Sequence, residues 1–152
     1  MEFTELEALE EAMESATEEE RMLKLKEFFP TLKIKATIMG ESNKGANQYK
    51  VTISNSGEKF NIKFTDSLMN TYNNERSSDI RILYCAVVDA QSYENSRSLE
   101  DFADEFGYDI CESSERRKIE KIYNGCEKAY NDIQRVFGYE GYEILSSVYY
   151  CY

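Results

Sequence analysis

The sequence predicts an α+β fold: a three-stranded antiparallel β-meander packed against several helices, with an acidic helical segment in front of it. Two observations predict this class. Residues 32–64 alternate apolar and polar in steps of two, whereas the segments on either side repeat apolar residues at helical spacing. The punctuation agrees, because a single proline and the absence of tandem repeats or a Gly/Pro linker leave nothing to divide 152 residues into separate domains. The chain therefore reads as one globular unit, with residues 1–30 an acidic N-terminal helical segment and residues 31–152 the α+β domain.

Taken in order, Leu6, Leu9 and Met13 recur at helical spacing. Thr17 with Glu20 then makes a capping-box pattern ahead of "RMLKLKEFF", and Pro30 closes the second helix. Next come "LKIKATI", "QYKVTIS" and "KFNIKF", in which Leu32, Ile34, Ala36, Ile38, Tyr49, Val51, Ile53, Phe60, Ile62 and Phe64 take one face. Lys33, Lys35, Lys50, Lys59 and Lys63 take the other. The connecting "MGESNKGAN" and "NSGE" are rich in turn formers, so the strands are expected to pair as successive hairpins. Ser78 caps a helix over "DIRILYCAVVDAQSY", whose stripe of Ile80, Leu83, Tyr84, Val87 and Val88 suits it to cover the sheet. Ser98 caps a shorter helix that Gly107 ends, and Ser114 opens a long one, expected to run until Gly138. The aromatic tail "YEGYEILSSVYYCY" reads as a short helix or a packed strand.

Composition narrows the chemistry. There is no histidine, so a serine or cysteine nucleophile lacks its usual base, and neither GxGxxG nor GxxxxGK[ST] is present to cradle phosphate. Cys85, Cys111, Cys126 and Cys151 show no CxxC spacing, which argues against a zinc site and for reduced thiols. The start is acidic where a signal peptide is basic, and no window is apolar for long enough to cross a bilayer. An intracellular, cytoplasmic protein with no membrane partner is expected.

The formal charge of −11 is unevenly placed: residues 1–20 carry −9, residues 21–81 carry +5, and residues 82–152 carry −7. On the first helix Glu7, Glu10, Glu11 and Glu14 face outward. In "SLEDFADEFGYD" the apolar Leu99, Phe102 and Phe106 fall on one side of a helix, and Asp101, Asp104 and Glu105 on another, flanked by Glu100 and Asp109. Carboxylates one helical turn apart stand about 5–6 Å from each other. That is close to the spacing of successive phosphates on a nucleic-acid strand, so such a ridge can occupy a protein groove built for DNA. The commoner use of such faces is solubility. Magnesium held by Asp101, Asp104 and Glu105 would make a nuclease instead, but no second carboxylate cluster is marked out by spacing. The lysine face offers another alternative, a nucleic-acid platform, although it lacks the stacking aromatics such a surface uses.

The stretches "LYCAVVDAQSYENSRSLEDFADEFGYD" and "RKIEKIYNGCEKAYNDIQRVFG" resemble a recurring family of small bacteriophage and prophage proteins, over roughly residues 32–138. The acidic "MEFTELEALEEAMESATEEERMLKLKEFFP" resembles the build of small anti-CRISPR proteins that disable type II RNA-guided nucleases. The resemblance implies a phage-encoded, non-enzymatic inhibitor in a bacterial host, acting as a DNA mimic. Its expected partner is a CRISPR effector nuclease with its guide RNA, with no cofactor, metal or small-molecule substrate. That class works by binding, so the resemblance carries over no catalytic residue. Charge placement alone nominates the contacts: Glu7, Glu10, Glu11, Glu14, Glu100, Asp101, Asp104, Glu105 and Asp109 for the protein partner, and Lys33, Lys35, Lys50, Lys59 and Lys63 for nucleic acid.

Overall fold

The computed structural model describes residues 1–152 and is α+β. Its elements run α1 (Phe3–Met13), α2 (Glu18–Phe28), β1 (Lys33–Glu41), β2 (Asn47–Asn55), β3 (Glu58–Thr65), α3 (Leu68–Tyr72), α4 (Asp79–Asn95), α5 (Leu99–Phe106) and α6 (Ser113–Val148). No helix is long and apolar enough to cross a membrane.

The strands form one antiparallel sheet in the order β1-β2-β3. Ser56 and Gly57 join β2 to β3, both at positive φ (51° and 83°), the backbone that a two-residue hairpin turn needs to match the twist of its strands. The register sets Ile34, Ile53 and Phe60 in one rung and Ala36, Val51 and Ile62 in the next. Period-two alternation thus puts every predicted apolar strand residue on a common face except Leu32, which lies just ahead of β1 and is buried in the core. Val51, Ile53 and Phe60 are buried there in one core with Leu83, Val87 and Ile133 of the helices. Cover thins along the outer strand: Ile34 and Ala36 are half-buried, and Ile38 is 57% exposed beside a register shift that skips Met39.

The N-terminal helices belong to this same core through Leu6, Leu9, Met13 and Leu25, so residues 1–30 are not a detached tail. The capping box forms as expected, with the Glu20 N–H donating to Thr17 Oγ1 and the Thr17 N–H to Glu20 Oε1. Arg21, 2% exposed, ties the segment down. Its guanidinium donates to the carbonyls of Met13 and Ala16 at the end of α1, and to those of Val148 and Tyr150 at the end of α6. No carboxylate pairs with it; the negative ends of two helices supply the compensating charge. Tyr152 lies 5.4 Å beneath the guanidinium and its hydroxyl bonds Glu18, closing the C-terminus onto α2.

One expectation needs correction. The N-cap of the long helix is Glu112, two residues ahead of Ser114: its carboxylate accepts from the Ser114 hydroxyl and from the backbone N–H groups of Ser114 and Glu115. Gly138 stops the first run of this helix, as expected. It breaks it at φ 78°, ψ 167°, and a second helical segment follows to Val148, which settles the tail as helix. The break brings Gly141 against Phe29 so closely that an added Cβ would stand 2.8 Å from Phe137 Cβ and 3.3 Å from the Phe29 ring. Beyond the elements expected, "LMNTY" forms α3, capped by Ser67 and held by the buried Asp66. Burial alone would raise the Asp66 carboxyl, but donors from Ser77, Asn70 and the Ser77 and Ser67 backbone outweigh it and hold the group below its ordinary value.

Candidate functional site

The short helix α5 displays the clearest division of labour in the fold. Ser98 Oγ accepts from the Asp101 N–H at its start, and Gly107 ends it in the left-handed conformation at φ 77°. Phe102 and Ala103 are fully buried, and with Ile119 and Cys126 of α6 they make a small core separate from the main one. The Phe102 ring stands 4.5 Å from Phe106 and meets Tyr123 edge-on at 5.2 Å. Leu99 is half-buried and Phe106 is 44% exposed, so the expected apolar face is real but only its centre is closed.

Glu100, Asp101, Asp104 and Glu105 are all exposed, and none of them pairs with a base. Asp109 differs from its neighbours. One of its oxygens accepts from the Cys111 N–H, and its own N–H donates to Glu115, so it is partly engaged in shaping the turn into α6. These acids and thiols do not gather into any group of three or more suited to hold a metal ion.

The second acidic surface lies at the other end of α6, past the Gly138 break. Glu7, Glu11 and Glu14 of α1 are exposed and Glu10 is half-buried. Folding adds two acids to them that linear reasoning missed: Glu94 near the end of α4 and Glu143 after the break line a shallow depression with Glu7 and Glu10. Phe3, 75% exposed, and Tyr139, 54% exposed, border it. Burial, then the nearby Glu143, pushes the Glu94 carboxyl above its ordinary value, and Glu94 and Glu143 in turn raise the Tyr139 phenol. Glu94 also sits in the last turn of α4, the end of a helix where negative charge is disfavoured. The signal for this cluster was weak because its members come from three distant segments.

All five predicted lysines are exposed. The register places Lys33 and Lys59 on either side of Ser54, and Lys50 directly opposite Lys63. Like charges facing each other across a sheet weaken the pairing, so this face holds unneutralised positive charge at a cost. Its middle rung is polar, with Thr52 donating to Asn61 at 2.7 Å, and no aromatic stands among these rungs.

No protein-family model, curated protein or solved structure matches this chain. Its chemistry is therefore read from geometry: two acidic surfaces at opposite ends of α6, a lysine-bearing sheet face, and one sizeable cleft. The cleft, of about 680 Å³, opens between the sheet, α4 and α6. It had no counterpart in the linear reading, since its walls come from segments far apart in the chain.

Proposed function

We propose that this chain is a non-enzymatic inhibitor that presents carboxylates to a cationic nucleic-acid groove on a partner protein. An RNA-guided effector nuclease of the type II class is the partner that the resemblance in the sequence implies. Such nucleases hold guide and target in a positively charged channel and read a short duplex motif with arginines, so an acidic helix has a physical target there. The observation that carries the reading is α5 itself: Phe102 and Ala103 are fully buried beneath it while Glu100, Asp101, Asp104 and Glu105 stand exposed and unpaired. Exposed carboxylates contribute little to stability, yet they steer association strongly, so their exposed, unpaired placement fits recognition better than folding.

The test is cleavage of plasmid by a guide-loaded type II nuclease, in the presence of the wild-type chain or of Asp101→Lys/Asp104→Lys/Glu105→Lys. Inhibition by the wild type that the triple variant loses, with its melting curve unchanged, supports the reading. Full inhibition by a folded triple variant removes α5 from the contact, and Glu7→Lys/Glu10→Lys/Glu11→Lys then reports whether the α1 surface makes it instead. A second reading, direct binding of nucleic acid by the sheet, is favoured by the facing pair Lys50 and Lys63. A gel-shift of the isolated chain, repeated with Lys50→Glu/Lys63→Glu, separates it from the first.

A further inference from the structure

The two edges of the sheet are finished differently. Along β3 the Lys59 carbonyl accepts from Arg135 at 2.9 Å and the Asn61 carbonyl from Lys128 at 3.5 Å, so side chains of α6 seal that edge. β1, at the other edge, has no such cover. Leu32, just ahead of it, gives its N–H to the Phe29 carbonyl and offers its own carbonyl to Lys26, so neither group faces β2. Antiparallel pairing alternates along a strand, which turns the N–H and C=O groups of Ile34, Ala36 and Ile38 to the same outer side. No side chain or loop of the fold bonds them there.

Every residue of β1 is exposed or half-buried, and the register shift at Met39 leaves Lys33 to Ile38 as a regular, open ladder. The two faces of this ladder differ in chemistry. Toward the helices stand Ile34, Ala36 and Ile38, an apolar row that the helices cover only in part. On the opposite face Lys33 and Lys35 are exposed and form no ion pair. They border rungs that hold five lysines and no acid, a patch opposite in sign to the protein's total of −11.

A strand laid against β1 would set its alternating side chains beside these two rows. Main-chain pairing would accept any such strand; the side chains decide which one. Apolar residues would meet Ile34, Ala36 and Ile38, and acids would meet Lys33 and Lys35. In an antiparallel arrangement the lysines occupy the non-hydrogen-bonded pairs, where facing Cα atoms approach to about 4.5 Å and side chains interact most closely. A second copy of β1 fits poorly, because its own polar row offers Lys33, Lys35 and Thr37 where an acid is called for.

We infer that the free edge of β1 is a docking site for an extended segment of a partner protein in which acidic and apolar residues alternate. The segment adds a fourth strand to the sheet, bonding the outward main-chain groups of Ile34, Ala36 and Ile38. Its acids lie beside Lys33 and Lys35, and its apolar side chains extend the cover over Ile34 and Ile38. Occupancy of this edge does not depend on what the acidic surfaces bind.

The experiment is fluorescence-anisotropy titration of a short labelled peptide of alternating glutamate and valine with the full chain, beside a lysine–valine peptide and a glutamate–valine peptide N-methylated at alternate residues. The first should bind and the other two should not. Lys33→Glu/Lys35→Glu should fold normally and weaken the first peptide by about tenfold or more. Ala36→Pro should abolish binding while keeping the fold, since it removes an N–H that faces away from β2. The N-methylated peptide tests the same main-chain pairing without altering the protein. Equal binding of the lysine–valine or N-methylated peptide, undiminished binding by the lysine variant, or no binding at millimolar concentration overturns the assignment. So does a dimer in sedimentation that Ala36→Pro dissociates, or a thymidine oligonucleotide that binds more tightly than the peptide through the same two lysines.

Discussion

Phe102→Ala tests whether α5 is a separately held element. The ring is fully buried, packed on Phe106 at 4.5 Å and Tyr123 at 5.2 Å, and it is the largest member of a four-residue core that is distinct from the main cluster of 25. Removing such a ring costs about 3–5 kcal/mol. Each fully buried apolar side chain contributes about 1.5–3 kcal/mol, and the remaining members of the small core, Ala103, Ile119 and Cys126, are smaller. The loss is therefore comparable to the whole contribution of the buried centre of this small core, leaving only partly buried contacts such as Leu99 and Tyr108 to hold α5. The expected outcome is local: the amides of Phe102 and Tyr108, which donate to Ser98 and Ala103, lose most of their protection in native-state hydrogen exchange. Strand amides around Val51 should keep theirs, because the main core is untouched. Unchanged protection in α5 would show that Phe102 does not fasten it. Equal loss in α5 and the sheet would show that the two cores unfold as one.

The two helix-interior glycines should respond in opposite directions in urea unfolding. Gly125→Ala adds a methyl in open space and should stabilise by about 0.8–1 kcal/mol, whereas Gly141→Ala drives a Cβ to 2.8 Å from Phe137 Cβ and should destabilise by about 1–3 kcal/mol. Arg21→Met leaves the buried carbonyls of Met13 and Val148 without their donor, at about 1–3 kcal/mol each, and should lower the thermal midpoint accordingly. Glu94 has a raised folded pKa, so whatever stability it contributes is fully present below the ordinary glutamate value of about 4.3 and is lost as pH rises through the folded value. Glu94→Gln should therefore stabilise at pH 7 and change nothing at pH 3.5, by about 0.3–1 kcal/mol for a charge on the wrong end of an exposed helix. A pH-independent effect would mean that the carboxylate charge is not what matters.

Local chemistry was legible in the sequence. Strict alternation set the sheet's two faces, because a one-residue slip would have turned Val51 and Ile53 outward; the Thr17–Glu20 box and the Ser98 and Gly107 boundaries were equally direct, since each depends on residues within one turn. What was missed is long-range. Arg21 reads as one more surface base until the ends of α1 and α6 converge on it. The five-residue α3 has no buried residue of its own and is held by Asp66 and its partners. Glu143 joins the α1 acids because the chain resumes a helix after Gly138, and Glu94 meets them from the end of α4. The cleft has no linear signature at all, since Ile62, Ala86 and Ile122 share no motif.

The most direct test of acidic mimicry is the dissociation constant for a guide-loaded type II nuclease across a salt series, with and without bound target DNA. Screening shortens from about 10 Å at 0.1 M to about 3 Å at 1 M salt, so exposed carboxylates in a basic channel should lose affinity steeply, and bound target DNA should exclude the protein from the same channel. A flat salt response, with cleavage undiminished at saturating protein, would contradict the account.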